Sequence, residues 1–148
     1  MLPDLHSADQ GAWERGCPRS ITLDPIWKLD AYRSALFLLH LVWSDTRPNS
    51  APDRYAHVQT QLLDAAGSIS AHIGEGYSRA TRPDRLKFFG YGLGSTRESV
   101  TWYLALRGVL TDEVIEHRLA VISATRGQPL GLIRSTRAKS NSPRVFEK

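Results

Sequence analysis

The chain has 148 residues, of which 41% are hydrophobic and 23% charged, with a net charge of +4 and a single cysteine, Cys17. This length predicts one domain with a core of its own, and the composition excludes a disordered chain and a disulfide-bonded framework. The longest apolar run, Ala35 to Trp43, is too short to cross a bilayer. No apolar secretory signal opens the sequence, so we expect a cytoplasmic protein without a membrane partner.

The basic residues are concentrated in the C-terminal half. Residues 1–75 contain six Lys or Arg against nine Asp or Glu, whereas residues 76–148 contain 13 against six. Arginine forms planar, paired hydrogen bonds with phosphate, and a one-sided excess of positive charge attracts nucleic acid. The asymmetry favours a nucleic-acid partner, although a solvated face balanced by acids elsewhere on the surface predicts the same counts.

The two ends of the chain have the composition of tails. Glycines and prolines interrupt residues 1–23, so we predict a flexible N-terminal tail in which Trp13 is the candidate anchor. Residues 138–148 are rich in Ser, Lys and Pro, which predicts a basic and flexible C-terminal tail. The folded domain is therefore predicted over residues 24–137.

Two helices are predicted in the first half of this domain. Asp24 and Pro25 are typical of an N-cap and a first helical position, and the helix is predicted to end near Ser44. Its core stripe is predicted as Leu29, Tyr32, Leu36, Leu39 and Trp43. The second helix is predicted from Asp53 to Gly76, with a stripe of Tyr55, Val58, Leu62, Ala66, Ile69 and Ile73.

The third predicted helix, from Pro83 to Gly108, has two apolar stripes where a simple surface helix has one. The stripe predicted to face the core is Leu86, Phe89, Leu93, Val100 and Leu104. A second stripe lies mostly on the opposite side and comprises Phe88, Tyr91, Ser95, Glu98, Trp102 and Leu106. In a chain this short we expect that second stripe to contact another subunit, with Arg79 as the partner that a buried Glu98 carboxylate requires.

A fourth helix is predicted to begin after Thr111, with a stripe of Ile115, Leu119 and Ile122. Gly127 and Pro129 are predicted to interrupt it, leaving one or two further turns before residue 138. No run with the two-residue period of a strand occurs. The sequence therefore predicts an all-α fold, an up-down-up-down four-helix bundle.

No motif typical of an active site or metal centre is evident. The five histidines are scattered, and none has the neighbours that a nucleophilic site needs. His72 and Glu75 are spaced so that they could share a metal, but the second copy that a di-iron bundle requires is absent. We therefore expect no catalytic residue, no metal and no cofactor.

One enzymatic alternative depends on Arg33 and His40. Six residues separate them, which is the Arg-x(4–6)-His spacing of HEPN-type ribonucleases, also small helical proteins. The pair lies in an apolar run of the first predicted helix, whereas the HEPN motif usually lies late in the chain. A surface arginine and a histidine at the edge of the core are the favoured interpretation, and the ribonuclease stays open as an alternative.

Two groups of basic residues are candidates for contact with nucleic acid. One group surrounds the turn between the second and third predicted helices and comprises Arg79, Arg82, Arg85 and Lys87. The other lies near the C-terminus and includes Arg134, Arg137 and Lys139. Clustered arginine and lysine side chains neutralise phosphates without reading sequence.

The second and third predicted helices resemble a family of four-helix bundles. Its pattern combines a Ser-Ile pair, an acidic residue followed by glycine, a Phe-rich helix start and a Gly-Ser pair. The matching positions here include Ser68, Ile69, Glu75, Gly76, Phe88, Phe89, Gly94 and Ser95. The family is that of proteins encoded in 23S rRNA intervening sequences, together with the accessory variability proteins of diversity-generating retroelements. His72 and Gly74 depart from the usual Asn and Ala.

The resemblance implies a homo-oligomer, a five-membered ring, with a basic surface. In the retroelement branch it implies binding of RNA or DNA and partnership with a reverse transcriptase. The expected function is therefore that of a non-enzymatic, nucleic-acid-binding accessory protein. The alternative is a structural or protein-interaction bundle of the intervening-sequence type without a nucleic-acid role.

Overall fold

The structure, a computed structural model, describes residues 9–139. Its helices are α1 (Gln10–Arg15), α2 (Arg19–Thr22), α3 (Asp30–Asp45), α4 (Ala56–Ser78), α5 (Arg82–Ala105) and α6 (Asp112–Ala138), with 3-10 turns at Pro25–Lys28 and Asp53–Tyr55. No strand occurs among the described residues. The all-α prediction is therefore confirmed.

Helices α3 to α6 form a bundle in which each helix is antiparallel to the next. Helix α4 packs on α3 and α5, and α6 packs on α5 and α3, so the four close around one core. One end of the bundle, the Arg82 end, contains the start of α3, the α4–α5 turn and the end of α6. The opposite end, the Asp45 end, contains the end of α3, the start of α4 and the α5–α6 connection.

Two predicted helix boundaries are wrong. The first helix does not run unbroken from Asp24, because Leu29 has an extended backbone that separates the 3-10 turn from α3. The fourth helix is not interrupted near Gly127, since α6 continues to Ala138. Leu132 still packs against the core beyond that point, and such packing outweighs a helix-breaking propensity. The N-caps predicted at Asp24 and Thr111 are confirmed.

The prediction of a flexible N-terminal tail is wrong for the described part of residues 1–23. Helices α1 and α2 lie there, and α1 packs against α3. The ring of Trp13 lies 5.7 Å from that of Phe37 and 6.0 Å from that of His40. Glu14 and Arg33 form an ion pair at 3.2 Å. Aromatic burial and one ion pair thus hold this segment in place, while residues 1–8 and 140–148 lie outside the described residues.

The core face of α3 differs from the predicted stripe. Trp43 is 67% exposed, whereas the smaller Ala31 and Ala35 are buried together with Leu38 and Val42. Small side chains let the neighbouring helices approach closely, and Leu29, Tyr32 and Leu39 of the predicted stripe are only partly buried and pack against the margin of this core. On α4 the predicted stripe is confirmed at its last four positions, which are buried: Leu62, Ala66, Ile69 and Ile73.

The buried face of α5 consists largely of small and polar residues. Six buried positions recur at alternating steps of three and four, and Ser95 beside them is buried as well; the six are Phe89, Gly92, Thr96, Ser99, Tyr103 and Leu106. The Thr96 and Ser99 hydroxyls donate to the Leu93 and Ser95 carbonyls of their own helix, at 2.6 and 2.9 Å. These bonds satisfy the buried hydroxyls. Leu104, predicted to face the core, is 45% exposed.

Gly76 lies where α4 packs tightly against α5. A Cβ atom at this position would lie 2.7 Å from the Phe89 ring and 3.2 Å from the Phe88 Cβ. No side chain fits within those distances without moving the ring. Gly76 of the family-type Glu-Gly pair is therefore a packing requirement of the α4–α5 pair.

A buried polar network joins three helices at the Asp45 end. The Asp45 carboxylate accepts hydrogen bonds from Arg118 Nε at 2.7 Å, from Arg118 Nη2 at 3.0 Å and from the Tyr103 hydroxyl at 2.7 Å. Arg118 Nη1 lies 2.8 Å from His117 Nδ1. Burial, then the charge of Asp45, raise the pKa of Tyr103 well above its ordinary value. The network fixes α3, α5 and α6 relative to one another.

We expect the protein to lose stability as the pH falls below 6.5, the ordinary pKa of histidine. Burial, and then the charge of Arg118, lower the pKa values of His40 and His117 in the folded state. The unfolded chain therefore takes up protons first. Stability is complete above pH 6.5 and decreases as the pH falls through the lowered folded pKa values.

The measurement is urea denaturation at pH 7.5 and at pH 5. The substitution His117→Asn retains an acceptor near the position of Nδ1 but does not titrate, so the loss of stability in acid should be smaller than in the wild type. Equal losses in the two proteins would contradict the role given to His117.

Candidate nucleic-acid and subunit surfaces

The first basic group lies around the α4–α5 turn. Arg82 begins α5 and is exposed. Arg79 forms an ion pair with Glu75, and its guanidinium lies 4.7 Å from the centre of the Phe88 ring. The Nε of Arg85 donates to the Arg79 carbonyl at 2.7 Å. Arg79 and Arg85 therefore shape the turn, while Arg82 is directed to solvent.

The second basic group reaches the same end of the bundle. Because α6 is antiparallel to α5, its last turns lie at the Arg82 end, and they carry Arg134, Arg137 and Lys139. Residues 79–87 and 134–139 together contain seven basic residues and one acidic residue, Asp84. The two basic groups are far apart in the sequence, and the directions of α5 and α6 bring them to the same end of the bundle.

The stripe predicted as a subunit interface divides into two parts. Ser95 and Leu106 are buried within the bundle of this chain, at 8% and 0% exposure, and are not available to a neighbour. Their side chains turn inward because they border the small-residue face that α5 packs on its own bundle. Phe88 and Trp102 are half-buried, whereas Tyr91 (48% exposed) and Glu98 lie on the surface.

The exposed face of α5 is flat at its centre. Gly90 and Gly94 lie one turn apart, and a Cβ atom on either would meet nothing within 4 Å. Beside them, the ring of His72 lies 5.4 Å from that of Tyr91 and 6.2 Å from that of Phe88. We call the surface formed by these residues the α5 face; it comprises Phe88, Gly90, Tyr91, Gly94 and Glu98 of α5 and His72 of α4.

Glu98 has a partner on its own helix. Its carboxylate accepts a hydrogen bond from Trp102 Nε1 at 3.2 Å. Arg79, the predicted partner of Glu98, pairs with Glu75 instead, because those two residues are one helical turn apart. Trp102 also makes an edge contact with His57 at 6.3 Å, which anchors it to α4.

Arg33 and His40, the pair with ribonuclease spacing, both contact the N-terminal segment. Arg33 pairs with Glu14 and Asp30 and also donates to the Trp27 carbonyl. His40 packs on the Trp13 ring. These contacts give both side chains a role in holding α1 on α3.

The pair of His72 and Glu75 is not completed to a set of three metal ligands within the described residues. Within residues 9–139, no three acidic, cysteine or histidine side chains come close enough together to hold a metal ion. None of the helices described has both the length and the apolar character needed to span a membrane.

Most of the bundle lies in the part of the chain that matches a known family. A family model described as "23S rRNA-intervening sequence protein" matches residues 28–122. The chain belongs to this family. A search of curated proteins finds no significant match. The 23S rRNA-intervening sequence match begins in the 3-10 turn before α3, so that α1 and α2 precede it.

The family-type residues now have visible roles in packing. Ile69 is buried in the core, and Gly76 allows Phe89 to approach α4. Glu75 holds Arg79 at the turn, and the Ser68 hydroxyl donates to the Asp64 carbonyl at 2.8 Å. Gly94 is the exception, because its surroundings in this chain are open. Of these positions, Gly76 serves the α4–α5 contact directly, whereas Ser68 and Glu75 make their contacts within α4 and at its end.

Proposed function

We propose that this protein is a non-enzymatic, oligomeric nucleic-acid-binding protein whose contact surface is the Arg82 end. The observation that carries the proposal is the meeting of two basic segments, residues 79–87 and 134–139, at one end of the bundle. Both segments are exposed at Arg82, Arg134 and Lys139. Phosphate neutralisation by such side chains supplies most of the affinity in sequence-independent binding.

The α5 face supports assembly of several copies. An exposed tyrosine beside two helical glycines is a surface on which another helix can approach closely, and each glycine disfavours an isolated helix by about 1 kcal/mol relative to alanine. In the proposed five-membered ring, with its axis along the helices, all Arg82 ends point to the same side. Repeated weak contacts then raise avidity by about 10² or more.

The proposed partner is a reverse transcriptase of a diversity-generating retroelement, as implied by the resemblance to accessory variability proteins. The absence of an enzymatic role is supported by the contacts of Arg33 and His40 with the N-terminal segment. A protein-interaction bundle is the competing interpretation, and the binding experiment separates the two.

We expect the triple variant Arg82→Glu, Arg134→Glu, Lys139→Glu to bind nucleic acid at least about tenfold more weakly than the wild type. The logarithmic salt slope should fall by about 2 to 3, because each lost phosphate contact removes roughly 0.7 to 0.9. Fluorescence anisotropy with single-stranded RNA, duplex DNA and an RNA–DNA hybrid measures both quantities. These positions avoid Arg79 and Arg85, which shape the turn.

The matched control reverses three exposed charges at the Asp45 end, through Arg47→Glu, Arg54→Glu and Arg107→Glu. Its net charge equals that of the first variant, so only the location differs. Equal weakening in the two variants would show that net charge, and not the Arg82 end, governs binding. If the wild type retains none of the three probes at low salt, the protein-interaction interpretation replaces this proposal.

A further inference from the structure

A large apolar pocket lies between the N-terminal helices and the bundle. Its volume is about 990 Å³, and its walls include Trp13 and Ile21 on one side and Leu39, Trp43, Leu63 and Gly67 on the other. Ligand pockets in proteins commonly measure about 300 to 1,000 Å³. The pocket is therefore large enough to hold a whole small molecule, and it is much larger than the gaps that ordinary packing leaves.

The pocket exists because α1 packs on α3, and α2 packs on the 3-10 turn at Pro25–Lys28, which leaves a gap towards α4. Trp13 and Glu14 hold the segment on α3, and on the α4 side Gly67 contributes no side chain. A Cβ atom at Gly67 would only just touch Leu39, at 3.9 Å. The floor of the pocket, on the α4 side, therefore has free space at Gly67. Trp43 lines the opening of the pocket and is exposed.

Among the described residues, the walls of the pocket contain no cationic side chain. Burial, then the charge of Glu14, raise the pKa of the Cys17 thiol, and the lowered pKa of His40 keeps its imidazole neutral at pH 7. The one acidic group, Asp9, accepts the Ala12 N–H at 3.2 Å and caps α1. An anionic ligand would find no counter-charge here, whereas a neutral apolar one loses nothing by leaving water.

We propose that this pocket binds one neutral, ring-containing hydrophobic molecule per chain, held between the Trp13 and Trp43 indoles. Aromatic rings stack favourably on indole faces, and the ligand would cover Trp43. The site lies partly outside the family match, because Trp13 and Ile21 precede residue 28. It is independent of the Arg82 end and of nucleic-acid binding.

Two fluorescent probes with the same ring system test the charge argument. N-phenyl-1-naphthylamine is neutral, and 8-anilino-1-naphthalenesulfonate is its sulfonated analogue. The neutral probe should bind saturably, one per chain, at least tenfold more tightly than the anionic probe. Equal affinities, or uptake that does not saturate, would overturn the proposal.

The variant Gly67→Leu tests the location, because leucine should fill the floor of the pocket. Affinity for the neutral probe should fall at least tenfold, while the melting temperature stays the same or rises, since leucine forms helix better than glycine. The matched control is Gly127→Leu on α6, where a Cβ atom meets nothing within 4 Å, and its probe affinity should not change. Unchanged binding by Gly67→Leu, or a change in oligomeric mass instead of probe binding, would contradict a ligand pocket.

A third measurement uses the wild type and does not depend on the folding of any variant. Cys17 lines the pocket and is the one cysteine of the chain, so intact mass reports its alkylation by iodoacetamide without ambiguity. Saturation with the neutral probe should slow that alkylation at least severalfold. An unchanged rate would mean that the probe binds elsewhere.

Discussion

We expect Arg118→Ala to reduce the free energy of unfolding by about 3 to 5 kcal/mol, the usual cost of removing one partner from a buried ion pair. The side chains of Arg118 and Asp45 are 2% and 8% exposed and meet at 2.7 Å. The substitution leaves the Asp45 carboxylate buried with only the Tyr103 hydroxyl as a donor. Asp45→Asn should also destabilise the protein strongly, because it leaves the guanidinium charge unpaired.

Urea denaturation followed by circular dichroism measures this effect at a fixed protein concentration, since assembly adds to apparent stability. The matched control is Arg107→Ala, which removes an arginine from an exposed pair with Asp112 at 3.8 Å, with side chains 65% and 78% exposed. Its effect should stay within about 0.5 kcal/mol, as is usual for surface positions. A similar loss in both variants would contradict the structural importance of the buried network.

The bundle and its α4 stripe could be predicted because large apolar residues recur there with helical spacing. The core face of α5 could not, since Gly92, Thr96 and Ser99 do not register as apolar. Their burial depends on close helix approach and on hydroxyls that bond to carbonyls of their own helix. Close helix approach and hydroxyl bonds to carbonyls of the same helix arise only when α4 and α5 pack together, so a pattern of hydrophobic residues does not show them.

The network of Asp45, Tyr103 and Arg118 was not predicted for a different reason. Its members are 58 and 73 positions apart, and only the chain topology brings them together. The N-terminal helices were missed because glycine and proline at their ends indicate a tail unless the docking of Trp13 is known. The sequence did contain that signal, in the single tryptophan that precedes residue 24.

The two ends of the bundle have different tasks in this account. The Asp45 end contains the buried ion pair that fixes three helices, and the Arg82 end contains seven exposed basic residues. A surface for phosphate binding can therefore change in sequence without disturbing the polar network that supports the fold. Because of this separation, charge reversal at Arg82 should lower the affinity for nucleic acid and leave stability unchanged. Substitution at Arg118 should lower the free energy of unfolding instead.

We expect Gly94→Leu to convert an oligomer into a monomer while the unfolding temperature of the isolated chain stays the same or rises. A Cβ atom at Gly94 meets nothing within 4 Å in the single chain, so leucine is free of clashes there and forms helix better by about 1 kcal/mol. In the proposed assembly the same leucine would hold a neighbouring helix away from the α5 face. Tyr91→Ala should weaken assembly in the other way, by removing an aromatic contact that is worth about 2 kcal/mol or more at an interface centre.

Light scattering coupled to size exclusion measures the mass of each protein at micromolar concentration, and Gly127→Leu provides a leucine on the open surface of a different helix. The wild type and Gly127→Leu should have the same oligomeric mass, and Gly94→Leu should have the mass of one chain. Far-UV circular dichroism makes the test specific, because a variant that lost assembly by unfolding would also lose its helical signal, whereas loss of assembly alone lowers only the apparent melting temperature. If the wild type is itself a monomer, or if Gly94→Leu assembles normally, the α5 face is not the subunit interface, and its two glycines need another explanation.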